Sequence, residues 1–239
     1  MIALHKLLNC FGTMKETKLS DTELGAGIYS IPDVAFILRL PQAKVRRWMK
    51  EFWDGRLGKD YAFKYSQGEG REKVTKFYTL IEFYVFYQLR ELGISTKKIF
   101  LAHRDISSQL NTAYPFASSK VLSDGKAILF EPNDGTLVNA DESKQAVFKE
   151  IIESFCKKIE FSSTEIAQCF YPMGRDTHIV VDPHHQFGQP TIENTNILTE
   201  TIYDLYKAGE SVAFLARLYQ LPLKEIEDAI AFYTRKSAA

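Results

Sequence analysis

Apolar residues return every three or four positions through "YSIPDVAFILRLPQAKVRRWM", residues 29–49, and again through "VAFLARLYQLPLKEI", residues 212–226. That period gives a helix one apolar face, and in each stretch a Leu-Pro pair interrupts it, at Pro41 and at Pro222. Both stretches therefore read as two helices joined by a tight turn. From residue 61 the pattern changes. Two aromatic-rich arms, Tyr61–Tyr65 and Val74–Tyr78, flank "SQGEGREK", a glycine-rich charged turn that predicts a hairpin. Helical spacing resumes in "TLIEFYVFYQLRELG", where Thr79 and Glu82 stand at the spacing of a capping box and Gly93 supplies the stop. Ser95 is placed to cap a further helix, "TKKIFLAHRDISSQL". Between 114 and 140 two Asp-Gly pairs separate short apolar arms and predict a small meander, after which Gln145–Ile159 returns to helix. "HIVVDP" reads as a strand and "PHHQFGQP" as a loop, and helices are expected near 198–208, 211–219 and 222–233.

The two helix pairs fit one template. A helix-turn-helix needs an alanine midway along its first helix, where the second comes close, and apolar residues at the other inward positions. Val34, Ala35, Leu38, Leu40, Val45 and Trp48 meet that requirement. Aligned on Leu-Pro, with a shift of 181 residues, Ala35 matches Ala216, Leu38 matches Tyr219, Leu40 matches Leu221, Val45 matches Ile226 and Trp48 matches Ala229. The second helices differ in charge. The first copy carries Gln42, Lys44, Arg46, Arg47 and Lys50, whereas the second carries Lys224, Glu225, Glu227 and Asp228.

Composition sharpens that contrast. The formal net charge of the 239 residues is zero, yet residues 39–104 hold 15 Lys/Arg against 7 Asp/Glu and residues 176–239 hold 5 against 9. A basic block in an otherwise acidic chain is the electrostatic footprint of a polyanion contact. The expected DNA contacts are Gln42, Lys44, Arg46, Arg47 and Lys50 on the helix, with Lys64, Arg71 and Lys73 on the hairpin as a wing. An acidic helix is repelled by phosphates, so Glu225, Glu227 and Asp228 are assigned to a protein partner. No apolar run is long enough to span a bilayer, and "MIALHKLLNCFGTMK" lacks a basic start and a cleavage site, so neither a membrane segment nor a signal peptide is expected. Three scattered cysteines point to a reducing cytoplasm.

Catalytic and metal chemistry find little support. Cys156, Cys169, His178, His184 and His185 lie close in sequence, but no C-x-x-C or H-x-x-x-H pair accompanies them, so no metal site is expected. No nucleophile–base pair or carboxylate pair stands out, and neither a cofactor nor enzymatic activity is expected. The stripe "FYVFYQL" reads as core, or as a dimer seam around Phe83, Phe86 and Tyr87, with the C-terminal helices as the other candidate seam.

These stretches also carry a family likeness. "YSIPDVAFILRLPQAKVRRWM", the hairpin and "TLIEFYVFYQLRELGISTKKI" together resemble the winged helix-turn-helix of the MerR family. Residues 179–233 resemble the small C-terminal domain of unknown function found in antitoxins of the VapB type: a strand ending in Asp-Pro, a Phe-Gly-x-Pro loop, then helices. Asn194 departs from that pattern, which favours Gly in this loop. The order of parts resembles one long antitoxin family over nearly the whole chain. The resemblance implies a mainly α fold with small β-hairpins: a lead-in (1–27), a MerR-like winged helix-turn-helix (28–113), a central α+β hairpin-and-helix segment (114–175) and a C-terminal helix-turn-helix-like three-helix domain (176–239). It further implies an antitoxin of a type II toxin–antitoxin system. Such a protein binds double-stranded DNA of its own promoter as a homodimer or higher oligomer and neutralises a PIN-like ribonuclease toxin. The alternative is a MerR-like transcriptional regulator with no toxin partner. Regulators of that kind dimerise through a long coiled coil, and "NTAYPF" breaks any such heptad run soon after Gly93, which favours the antitoxin.

Overall fold

A computed structural model of the chain describes residues 26–118 and 155–235. The lead-in to residue 25, the expected meander beyond residue 118 and most of the helix expected over Gln145–Ile159 lie outside the described residues. Of that last helix, 155–156 are helical, while Ile159 already opens a strand. The described chain is mainly helical with small antiparallel sheets.

Strand β1 (Tyr29–Ser30) leads directly into helix α1 (Ile31–Leu38). Ser30 starts the helix by a reciprocal pair of bonds. Its Oγ accepts the Asp33 N–H at 3.3 Å, and the Asp33 carboxylate accepts the Ser30 N–H at 2.8 Å, which satisfies donors that a helix start leaves free. The helix ends at Arg39, in left-handed conformation (φ 58°), and the Leu40 N–H donates to the Ala35 carbonyl at 2.9 Å. After Pro41, α2 (Gln42–Trp48) runs on through a wider-turned π-type segment, Met49–Leu57, into α3 (Gly58–Tyr61). Val34, Ala35, Leu38, Leu40, Val45 and Trp48 are all buried, as the spacing predicts.

The hairpin pairs β2 (Ser66–Gln67) with β3 (Val74–Thr75), and β1 adds to the other edge of β3, giving the order β1-β3-β2. Its first arm begins later than the aromatic pattern suggests. Tyr61 still belongs to α3, and Phe63 and Tyr65 turn inward onto Tyr114, with ring centroids 5.5 Å away in each case. Helix α4 (Phe77–Glu91) also starts two residues before the expected capping box. Thr79 and Glu82 are fully buried within it. Glu82 is drawn inward because it has partners there: one oxygen accepts the Phe116 N–H at 2.8 Å, and the other lies 2.8 Å from Nε2 of His103, on α5 (Thr96–Leu110). The opposite nitrogen of His103 meets the Tyr61 hydroxyl at 3.0 Å. A buried carboxylate survives only when matched in this way. Gly93 (φ 80°) follows α4, and Ser95 caps α5 through the Lys98 N–H, both as expected. Phe83 and Phe86 pack edge-on against Trp53, with centroids 4.3 and 5.2 Å away, inside the chain's own core. They are not available as a dimer seam.

The described chain resumes with the antiparallel pair β4 (Ile159–Phe161) and β5 (Ala167–Phe170), which add Ile159, Ala167 and Phe170 to the core of the first half; the second half follows with β6 (Ile179–Val180) and β7 (Thr191–Ile192). Asn194 takes φ 60°, a left-handed conformation that asparagine tolerates better than most residues other than glycine. Three helices close the chain: α6 (Thr199–Lys207), α7 (Val212–Tyr219) and α8 (Leu223–Thr234).

The frame of α1 and α2 recurs in α7 and α8, apart from the reciprocal bond of Asp33, whose place is taken by Phe214. Ser211 caps α7 by accepting the Phe214 N–H at 3.2 Å. Gln220 ends it in left-handed conformation (φ 55°), and the Leu221 N–H donates to the Ala216 carbonyl at 3.0 Å. Leu215, Ala216, Ile226 and Ala229 are buried where Val34, Ala35, Val45 and Trp48 are buried in the first copy.

The two halves touch. Phe36 of α1 packs on Phe232 and Tyr233 of α8, with centroids 5.1 and 4.8 Å away, and belongs to both apolar clusters. Phe170 and Val181 exchange two backbone hydrogen bonds, at 3.0 and 2.8 Å, and the Ile28 N–H donates to the Phe187 carbonyl at 2.9 Å. Gly188 (φ +84°) lies against Tyr29, where a Cβ would come within 2.0 Å of the phenolic oxygen. No residue but glycine fits there.

Candidate nucleic-acid interface and its C-terminal counterpart

Helix α2 buries Val45 and Trp48 and thereby turns its other side outward. Gln42, Arg46, Arg47 and Lys50 are exposed on that side, the last on the π-type extension. No carboxylate among the described residues pairs with any of the four. Lys44 is half-buried: its ammonium sits 5.4 Å from the Trp48 ring centroid and 5.1 Å from that of Tyr87, a cation–π position between α2 and α4. On the hairpin, Lys64 and Arg71 are exposed, Arg71 in the turn itself. Lys73 differs from its neighbours, because its ammonium donates to Asp54 at 2.8 Å and the same carboxylate oxygen accepts the Ser66 hydroxyl at 2.6 Å. Asp54, on the π-type segment, thus ties the hairpin to the helical run that begins with α2. That tether escaped the sequence pattern, which gives no hint that residue 54 meets residues 66 and 73.

In the second copy the corresponding face is neither basic nor wholly acidic. Glu227 is exposed and Glu225 half-exposed. Asp228 is 2% exposed and cannot lie on a partner surface. It accepts from Lys224 at 2.7 Å and lies 3.0 Å from Nδ1 of His178, near the start of β6. Burial pushes its carboxyl up, but the bonds from Lys224 and His178 outweigh that and hold it below the ordinary carboxylate value. The helical spacing is what misled: Asp228 falls on the side of α8 that packs on β6, where a paired acid is tolerated. Apolar residues replace it outside. Phe214, Leu218 and Leu223 are 40%, 53% and 54% exposed. At the position of Leu218 the first copy has Ile37, only 2% exposed.

The three histidines and Cys169 of that sequence cluster have other neighbours. His184 and His185 both bond to Asp182, His178 bonds to Asp228, and burial beside Asp182 pushes the Cys169 thiol up to about 12. Among the described residues no group of three or more His, Cys, Asp or Glu is placed to hold a metal ion. No described helix is long and apolar enough to cross a membrane.

Residues 179–233, from β6 to the last turn of α8, match the family model described as "Protein of unknown function (DUF433)". Over 229 residues, 85% of this chain and 92% of the relative, the sequence is 23% identical to "Putative antitoxin VapB45" of Mycobacterium tuberculosis. The fold is similar to the crystal structure of Rv2018 from the same organism, with a TM-score of 0.64 at 18% identity over 84% of this chain and 96% of that one. The C-terminal stretch thus matches the DUF433 model, and most of the chain is similar to a protein described as a putative VapB antitoxin.

Proposed function

We propose that the chain is a non-enzymatic, cytoplasmic antitoxin that binds its own promoter through α2 and the β2–β3 wing, as a homodimer or higher oligomer, and neutralises a PIN-like ribonuclease toxin through the outer face of α7 and α8. One observation carries this reading: a single backbone frame is used twice with opposite surfaces. The first copy presents Gln42, Arg46, Arg47 and Lys50, groups that can hydrogen-bond phosphates and base edges in a major groove. The second presents Phe214, Leu218 and Leu223 beside Glu225 and Glu227, an apolar strip with acidic neighbours. Such a strip suits a protein partner, and its acids would meet the basic groove that an RNA-cutting enzyme needs. The MerR-like and winged helix-turn-helix descriptions belong to this proposal, and so does the division of the chain at about residue 175.

Two measurements test it. Arg46→Ala and Arg47→Ala should each weaken promoter binding by about 1–3 kcal/mol, roughly 5- to 150-fold, if the residue reads a base. Co-expression with the product of the adjacent gene should give a stable complex and cell survival. Phe214→Glu with Leu218→Glu should abolish both while leaving DNA affinity intact. Unchanged DNA binding in both arginine variants would sink the first half of the proposal. Full neutralisation by the Phe214/Leu218 variant would sink the second, and the absence of any toxin partner would favour the MerR-like regulator.

A further inference from the structure

Two guanidinium groups share one aromatic ring at the seam between the two halves, and a lysine stands within electrostatic reach of one of them. Arg39, in the turn before α2, lays its guanidinium carbon 4.4 Å from the Phe36 ring centroid and 5.4 Å from that of Phe232. Arg235, just past α8, lies 4.1 Å from the same Phe232 ring. Each guanidinium donates to the far helix: Arg39 to the Phe232 carbonyl, Arg235 to the Ile37 carbonyl at 3.1 Å. The Nε–H of each is buried and meets no acceptor. Lys158, half-buried, is within electrostatic reach of Arg235 and makes one long bond, 3.4 Å, to the Pro172 carbonyl. No carboxylate among the described residues pairs with any of the three.

Among the described residues the charges do not balance. The ends of α1 and α8 contribute roughly half a negative charge each, against three unit cations, which leaves about two positive charges in a partly desolvated seam. Burial, with the Arg39 charge as second cause, brings the Arg235 guanidinium down to about 9. Repulsion of this kind, together with two orphaned donors, calls for an anion. We propose that Arg39, Arg235 and Lys158 form a binding site for a phosphate group. Arginine forks match phosphate oxygens in geometry, and a phosphate dianion matches the uncompensated charge. Two sources supply that chemistry: the backbone of DNA lying along α2, whose first residue is three beyond Arg39, or a free phosphate-bearing small molecule.

The test uses the full chain in two assays. In thermal denaturation, sodium phosphate is compared with sodium chloride at equal pH and ionic strength. Phosphate should give a saturable rise in Tm whose half-point moves about tenfold or more in Arg235→Gln and in Lys158→Gln. Lys158→Gln leaves the stacked arginines and their carbonyl bonds in place, so it reports even if Arg235→Gln folds poorly. In promoter binding, the slope of log affinity against log salt should fall by about one in Lys158→Gln if a DNA phosphate sits in the seam. An unchanged slope with a phosphate-specific Tm rise identifies the small-molecule source, independently of the DNA reading. The proposal is overturned if phosphate acts no differently from chloride and Lys158→Gln leaves the salt slope unchanged.

Discussion

Arg71 and Lys73 stand two residues apart on the wing, yet replacing each by alanine should have different consequences. Arg71 is exposed in the turn, and no carboxylate among the described residues pairs with it. Arg71→Ala should therefore leave stability unchanged and lower the salt slope of promoter binding by about one, the counterion equivalent of one phosphate contact. Lys73 is paired with Asp54 at 2.8 Å, with side chains 26% and 22% exposed. A pair half-sheltered in this way is worth more than an open surface pair, which contributes about 0.2–1 kcal/mol, and less than a dry one, whose breakage costs about 3–5 kcal/mol. Lys73→Ala should cost about 1–2 kcal/mol, since Asp54 keeps the Ser66 hydroxyl as a partner. In a protein of this size that lowers Tm by roughly 2–8 °C, and the salt slope should change little. Fluorescence anisotropy across a salt series, beside thermal denaturation of the same samples, separates the two effects. If Lys73→Ala flattens the slope as Arg71→Ala does and leaves Tm unchanged, Lys73 contacts DNA rather than Asp54. If neither variant alters the slope, the wing does not lie on DNA.

Asp228 should make the C-terminal half acid-sensitive. Its folded pKa is depressed relative to an unfolded value of about 3.9, so its contribution is complete above that value and lost as pH falls through the folded one. Asp228→Asn should cost about 1–3 kcal/mol at neutral pH and flatten the acid limb of a Tm–pH curve; an unaltered acid limb would show that the bonds from Lys224 and His178 are not formed in solution. Glu82→Ala strands buried His103 and the Phe116 N–H and should cost about 3–5 kcal/mol, lowering Tm by roughly 6–20 °C. A drop under 2 °C in thermal denaturation would contradict the buried network.

Most of the architecture could be read from residue spacing, because helices and their turns are set by local chemistry. The shift of 181 residues found the repeated frame from Leu-Pro and alanine alone, and the structure adds the matching caps, Ser30 and Ser211, and the matching left-handed ends, Arg39 and Gln220. Spacing failed where a distant partner decided the outcome. Thr79 and Glu82 look like a helix start until His103 and Phe116 draw Glu82 inward. Asp228 looks like a surface acid until His178, fifty residues earlier, meets it. Of the candidate DNA residues, those on the exposed side of α2 were legible from its period. The engagement of Lys73 by Asp54 was not, since a sequence shows charge but not which opposite charge lies beside it.

Phe36 has a bearing on how the protein comes apart. A side chain shared by two apolar clusters, reinforced by the Phe170–Val181 bonds, makes the halves energetically interdependent. Calorimetry should accordingly record one endotherm, with calorimetric and van't Hoff enthalpies in agreement, rather than two. A chain cut near residue 175 would leave Phe36 bare and the β5 edge unpaired, an invitation to aggregate. Loss of activity in such a fragment would report colloidal failure rather than a missing binding surface. Point substitutions at exposed positions are the sounder probe of which half does what.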